Sequence, residues 1–177
     1  MAVEGSASSL TLVLGGARSG KSRYARELAM RSEPPFVMIA TAEALDEEMR
    51  ARIALHKRER GAEWITVEAP VDLARAVAQA ADGAALVIDC LTLWLSNLML
   101  GGHDVDGEIA RLGQALDARS APTIAVANEV GLGIVPETAL GRAFRDRAGA
   151  LNQHLAGRAG RVVLMVAGLP MTVKPRP

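Results

Sequence analysis

A chain of 177 residues that is 50% hydrophobic and 23% charged has the length and apolar content for one compact domain with its own core. Its 20 basic and 20 acidic residues cancel, which excludes a broad cationic face for nucleic acid or anionic lipid. The lone Cys90 excludes an internal disulfide framework and a cysteine-built zinc cluster, and fits a reducing compartment.

Residues 1–9 lack the basic start and apolar run of a signal peptide, so they read as a disordered lead-in to a cytoplasmic protein. A strand is expected over 10–14, a helix over 21–31, a strand over 36–40 and a helix over 43–60. Next come a strand at 64–67, a helix at 70–81, a strand at 86–89 and helices at 91–98 and 107–118. A strand at 123–127, a helix at 138–159 and a strand at 162–166 follow, with a frayed tail from Lys174 to Pro177. Most strands are continuous apolar runs, the pattern of a parallel sheet with helices on both faces. No apolar stretch approaches the roughly 20 residues that span a bilayer, so no membrane insertion is expected. No repeat or composition shift divides the chain, and 10–174 is expected to form a single domain.

The strongest motif is Gly15-Gly16-Ala17-Arg18-Ser19-Gly20-Lys21-Ser22, which satisfies G-x-x-x-x-G-K-[ST] between a strand and a helix. Its glycines let the loop curl until backbone N–H groups meet phosphate oxygens, and the helix adds its positive end. Lys21 is placed to neutralise the β- and γ-phosphates, and the Ser22 hydroxyl to ligate Mg²⁺. The expected fold is therefore α/β, P-loop NTPase-like (RecA-like), and the expected substrate a purine nucleoside triphosphate. A second metal ligand belongs where an apolar strand ends in a carboxylate, and Asp89 stands there. Asp89 also suits a cap on the next helix, and the two roles are compatible.

Within the helix expected at 43–60, Met49, Ile53 and His56 share a stripe, with Arg52 and Arg60 four residues to either side of the histidine. Like charge favours the neutral, nucleophilic imidazole, and the arginines suit a phosphate chain. Spacing alone favours the plainer reading, a half-buried helix histidine beside a solvated cationic face. His103 and His154 have less context still. Asn128-Glu129-Val130-Gly131-Leu132-Gly133 follows a strand directly, where open α/β sheets bind ligands; it reads equally as a substrate-facing loop or a plain connection.

Several stretches together resemble a known family. They are the P-loop; Ile39-Ala40-Thr41-Ala42 with Asp46-Glu47-Glu48-Met49; Arg52-Ile53 through His56-Lys57; Asn128 through Pro136-Glu137; and Phe144-Arg145-Asp146 through Gly149 to Asn152. The chain is similar to the bifunctional adenosylcobinamide kinase / adenosylcobinamide-phosphate guanylyltransferase of cobalamin biosynthesis. The resemblance implies ATP- or GTP-dependent phosphorylation of adenosylcobinamide. It also implies GMP transfer from GTP to adenosylcobinamide phosphate, with His56 carrying the GMP. Nucleotide contacts carry over to Gly15 through Ser22, to Ala40, Thr41 and Ala42, to Lys57, Arg58, Glu59 and Arg60, to Glu68 and to Asp89, where relatives often have Glu. A corrinoid partner and a homotrimer follow from the same resemblance. A monofunctional P-loop kinase of a small metabolite and a nucleotide-gated binding protein are the alternatives, and neither needs a covalent adduct.

Overall fold

The computed structural model describes residues 8–43, 61 and 63–175. In chain order it contains β1 (Leu10–Gly15), α1 (Lys21–Ala29), β2 (Phe36–Ala40), β3 (Trp64–Glu68), α2 (Leu73–Gln79) and β4 (Ala85–Asp89). There follow α3 (Leu91–Leu100), α4 (Val105–Asp117), β5 (Thr123–Asn128), α5 (Ala139–Arg158), β6 (Arg161–Val166) and β7 (Leu169–Lys174). The strands form a seven-stranded sheet in the order β3-β2-β4-β5-β1-β6-β7. Every neighbouring pair is parallel except β6 and β7.

The apolar runs become strands buried on both faces, and the two faces build separate cores. On one face Leu12, Ile39, Leu86, Ile88 and Ala125 pack under α2 to α5, around Trp94, Leu95, Leu112 and Leu151. The Trp94 indole is fully buried, and its Nε1 donates to the Val71 carbonyl at 2.8 Å, which removes the penalty of burying that N–H. On the other face Val13, Met38, Val87, Ile124 and Val126 pack against Ala25 and Ala29 of α1. The small side chains of α1 let it lie close on the sheet. The expected class, a mostly parallel P-loop NTPase-like sheet with helices on both faces, is the one observed.

Several expectations change. β7 was not foreseen. It turns back through Ala167 and Gly168, with φ of 51° and 83°, a two-residue hairpin lacking the usual Asn-Gly signal. Lys174 ends that strand, and its Nζ donates to the Ala156 carbonyl at 3.1 Å, so it does not begin a frayed tail. Ser9 is not part of a loose lead-in: its hydroxyl donates to Arg119 O at 2.8 Å, and its carbonyl accepts from Thr123 N–H at 3.2 Å. Helix ends shift by a few residues. α4 begins at Val105 rather than 107 because the Asp104 side chain accepts from the Gly107 N–H and caps it. Glu43 is irregular, and the rest of the helix expected at 43–60 lies outside the described residues.

Candidate active site

β1 delivers the P-loop to the carboxyl end of the sheet. Gly15 has φ 152°, and a Cβ there would fall 2.6 Å from Ser19 Oγ and 2.7 Å from the Met165 carbonyl, so no side chain fits. Gly20, the N-cap of α1, has φ 92°, a left-handed conformation that costs glycine little. The loop thus turns sharply onto the helix. A Cβ on Gly16, by contrast, would meet no atom within 4 Å, so the loop is open at that position. Lys21 lies along the loop, 7% exposed, and donates to Gly16 O at 2.5 Å and Ser19 Oγ at 3.5 Å. The β6–β7 hairpin braces this loop from behind, since the Gly168 N–H donates to Ser19 O at 3.1 Å.

Strand alternation decides which other groups face the loop. Asp89 ends β4 in phase with Ala85 and Val87, whose side chains belong to the core on the α1 face. Asn128 ends β5 in phase with Ile124 and Val126 on the same face. β5 lies between β4 and β1. The carboxylate strand and the P-loop strand are therefore separated by the strand that carries Asn128. Ala40 pairs with both Asp89 and Glu68, which sets the ends of β2, β3 and β4 in one row. The cap of α3 is Cys90 with no side-chain cap bond, so capping is not what Asp89 does.

Thr41 fastens the row. Its hydroxyl donates to Cys90 O at 2.7 Å and accepts from Cys90 N–H at 2.8 Å, while its own N–H donates to Asp89 O at 3.2 Å. Asn97 Nδ2 donates to Thr41 O at 2.8 Å and to Pro70 O at 3.0 Å. Thr41 is fully buried, so its hydroxyl holds Asp89–Cys90 in place. Burial, then the Asp89 charge, pushes the Cys90 thiol from 9.0 up to about 11, with Lys21 opposing. One group feels both Asp89 and Lys21, as expected where strand β4 and the start of α1 meet. The protonated thiol is no nucleophile at neutral pH.

Two histidines can be placed. α3 stays beside the carboxyl ends of the strands, where its Asn97 bonds Thr41 O and Pro70 O, and His103 follows it, whereas α5 runs from those ends toward the start of β6 and carries His154 away from them. There Arg158 Nε donates to His154 Nε2 at 3.1 Å. His56 and Lys57 to Arg60 lie outside the described residues.

The family model described as cobinamide kinase / cobinamide phosphate guanyltransferase, CobU, matches residues 11–173. The chain belongs to this family. The bifunctional adenosylcobalamin biosynthesis protein CobP of Pseudomonas aeruginosa is 48% identical over 169 residues, covering 94% of this chain and 98% of the relative. CobU of Salmonella typhimurium is 41% identical, covering 93% of this chain and 99% of the relative. Among solved structures, the flagellar accessory protein FlaH of Methanocaldococcus jannaschii superposes with a TM-score of 0.51 at 13% identity, covering 94% of this chain and 78% of that one. A Pyrococcus horikoshii protein, PH0250, gives 0.55 at 11% identity, covering 95% and 87%. These two likenesses concern the fold alone.

Within this CobU-family site, sequence reasoning missed Thr92, Asn97 and the structural role of Thr41. A signal was available: Thr92 and Asn97 are polar residues in the mostly apolar helix Leu91–Leu100. A polar side chain there needs a partner, and each finds a backbone group at the carboxyl end of the sheet.

Proposed function

We propose that this chain phosphorylates adenosylcobinamide with ATP or GTP, then transfers GMP from GTP through His56 to the phosphate it has made, acting in the cytoplasm. The observation that carries the reading is the P-loop with Lys21 across it and Asp89 on the same sheet face, in a chain of the cobinamide kinase / guanyltransferase family. For phosphorylation, the loop amides and Lys21 hold the β- and γ-phosphates while the acceptor hydroxyl attacks the γ-phosphorus. Ser22 and Asp89 offer hard oxygens suited to Mg²⁺, whose bound charge would offset that of the phosphate oxygens. Gly15 to Ser22, Ala40, Thr41, Ala42, Lys57 to Arg60, Glu68 and Asp89 make up the proposed nucleotide surround.

For guanylyl transfer, a His56 nitrogen attacks the α-phosphorus and the bond to the bridging oxygen breaks, releasing pyrophosphate. An oxygen of the acceptor phosphate then attacks the same phosphorus and the P–N bond breaks, giving adenosylcobinamide-GDP. Two easier displacements replace one hard one. Support for His56 comes from the family resemblance. A homotrimer is the proposed assembly, by resemblance. Incubation with α-labelled GTP tests the reading: an acid-labile, base-stable protein adduct that cobinamide phosphate discharges is expected. Phosphorylation without any adduct would leave a monofunctional kinase.

A further inference from the structure

Asn128 occupies a position that the phosphate-binding motif does not explain. It is the last residue of β5, and its register partner in β1 is Gly15, the first residue of the loop. Adjacent strands lie about 4.8 Å apart, so Asn128 is a neighbour of the P-loop. On its other side Asp89 pairs with Val126, so β5 reaches two residues further than β4 in register. Asn128 therefore projects beyond the sheet edge between Lys21's loop and the carboxylate strand, where the terminal phosphate of a bound triphosphate must lie.

Its backbone is gripped from the opposite face. The Thr92 hydroxyl of α3 accepts from the Asn128 N–H at 2.6 Å, and Asn152 Nδ2 of α5 donates to the Asn128 carbonyl at 3.3 Å. Both gripping side chains are buried, at 8% and 7% exposure. The next residue is tied to the P-loop itself, because the Glu129 N–H donates to Gly15 O at 3.0 Å. Among the described residues these hydrogen bonds all use main-chain groups, and strand alternation leaves the Asn128 amide on the α1 face with the loop. An amide carries both donors and an acceptor. Its NH₂ can meet a terminal phosphate oxygen, and its carbonyl can accept from an incoming hydroxyl.

We infer that Asn128 contacts the transferred phosphoryl group and distinguishes nucleoside triphosphate from diphosphate, with Thr92 and Asn152 as its positioning residues. The inference rests on the kinase reading for its chemistry, but its test does not need the corrinoid. Titration calorimetry of the full chain with ADP and with a β,γ-imido ATP analogue, both with Mg²⁺, reads the preference for the third phosphate directly.

Wild type should prefer the imido analogue. Asn128→Ala should lose about ten- to hundredfold of that preference, as a hydrogen bond to a charged group is worth, while ADP affinity changes by less than about twofold. Asn128→Asp keeps the shape but turns a carboxylate to the phosphate, and should lose at least as much. Thr92→Val should lose part of the preference, and Thr92→Ser should restore it. Melting curves report folding, and if the alanine variant fails to fold, the aspartate variant decides.

An unchanged preference in a folded Asn128 variant overturns the inference, and so does a wild-type protein with no preference. Failure of wild type to phosphorylate cobinamide would instead retire the kinase reading, with the binding ratio still deciding Asn128.

Discussion

Thr41 grips Cys90 by both of its main-chain polar groups, accepting from the N–H at 2.8 Å and donating to the carbonyl at 2.7 Å. Cys90 follows Asp89 directly, so one fully buried hydroxyl governs where the β4 carboxylate is held. Thr41→Val keeps the shape and removes both bonds, leaving two buried groups unsatisfied. A stability loss of about 2 kcal/mol is expected. For a chain of this size that is a fall of roughly 4–8 °C in melting temperature. Thr41→Ser should recover most of it. A valine variant that melts with wild type would show that the grip does not matter.

Lys21 is proposed as the cation that meets the β- and γ-phosphates. Lys21→Ala should cut both phosphorylation and guanylyl transfer severely while the fold persists. Rates for both within about tenfold of wild type, a loss under ~1.4 kcal/mol, would remove Lys21 from the mechanism.

Asp89 is proposed to hold Mg²⁺ with Ser22. Asp89→Asn should raise the Mg²⁺ concentration for half-maximal activity more than it weakens nucleotide binding measured at saturating Mg²⁺. Direct titration with Mn²⁺, read by its paramagnetic resonance in the presence of ADP, provides a readout independent of turnover. An unchanged metal titration would give Asp89 another task.

His56→Ala should abolish the acid-labile adduct from α-labelled GTP and stop GMP transfer, while cobinamide phosphorylation persists. Separation of the two activities is the informative outcome, because a structural histidine would lower both together. His103→Ala and His154→Ala should keep the adduct. An adduct surviving in His56→Ala would place the nucleophile elsewhere.

Cys90 predicts a pH effect of known sign. Its folded-state pKa is raised from 9.0 to about 11, so the folded chain holds the thiol proton more tightly than the unfolded chain. That contribution is fully present below about pH 9 and is lost as pH rises toward 11. Urea unfolding should show wild type losing more stability across this window than Cys90→Ala does. Iodoacetamide at about pH 8 should leave the folded thiol unmodified.

The P-loop, the apolar strands and the carboxylate at the end of β4 were legible in the chain because each is a local pattern. A loop that must curl needs Gly15 and Gly20 at fixed offsets, and a strand buried on both faces needs an unbroken apolar run. β7 was not readily legible, although Leu169, Met171 and Val173 alternate with Pro170, Thr172 and Lys174, because Pro170 argues against a strand and the turn uses Ala167-Gly168 in place of Asn-Gly. Nor were the grips on Cys90 and Asn128 legible, since Thr41 and Cys90 lie 49 residues apart and Thr92 and Asn128 lie 36 apart. Local pattern alone was enough for the fold class and the glycine-rich loop. The face that Asp89 and Asn128 share follows from strand order and register, which core packing between distant segments sets and no local pattern reveals.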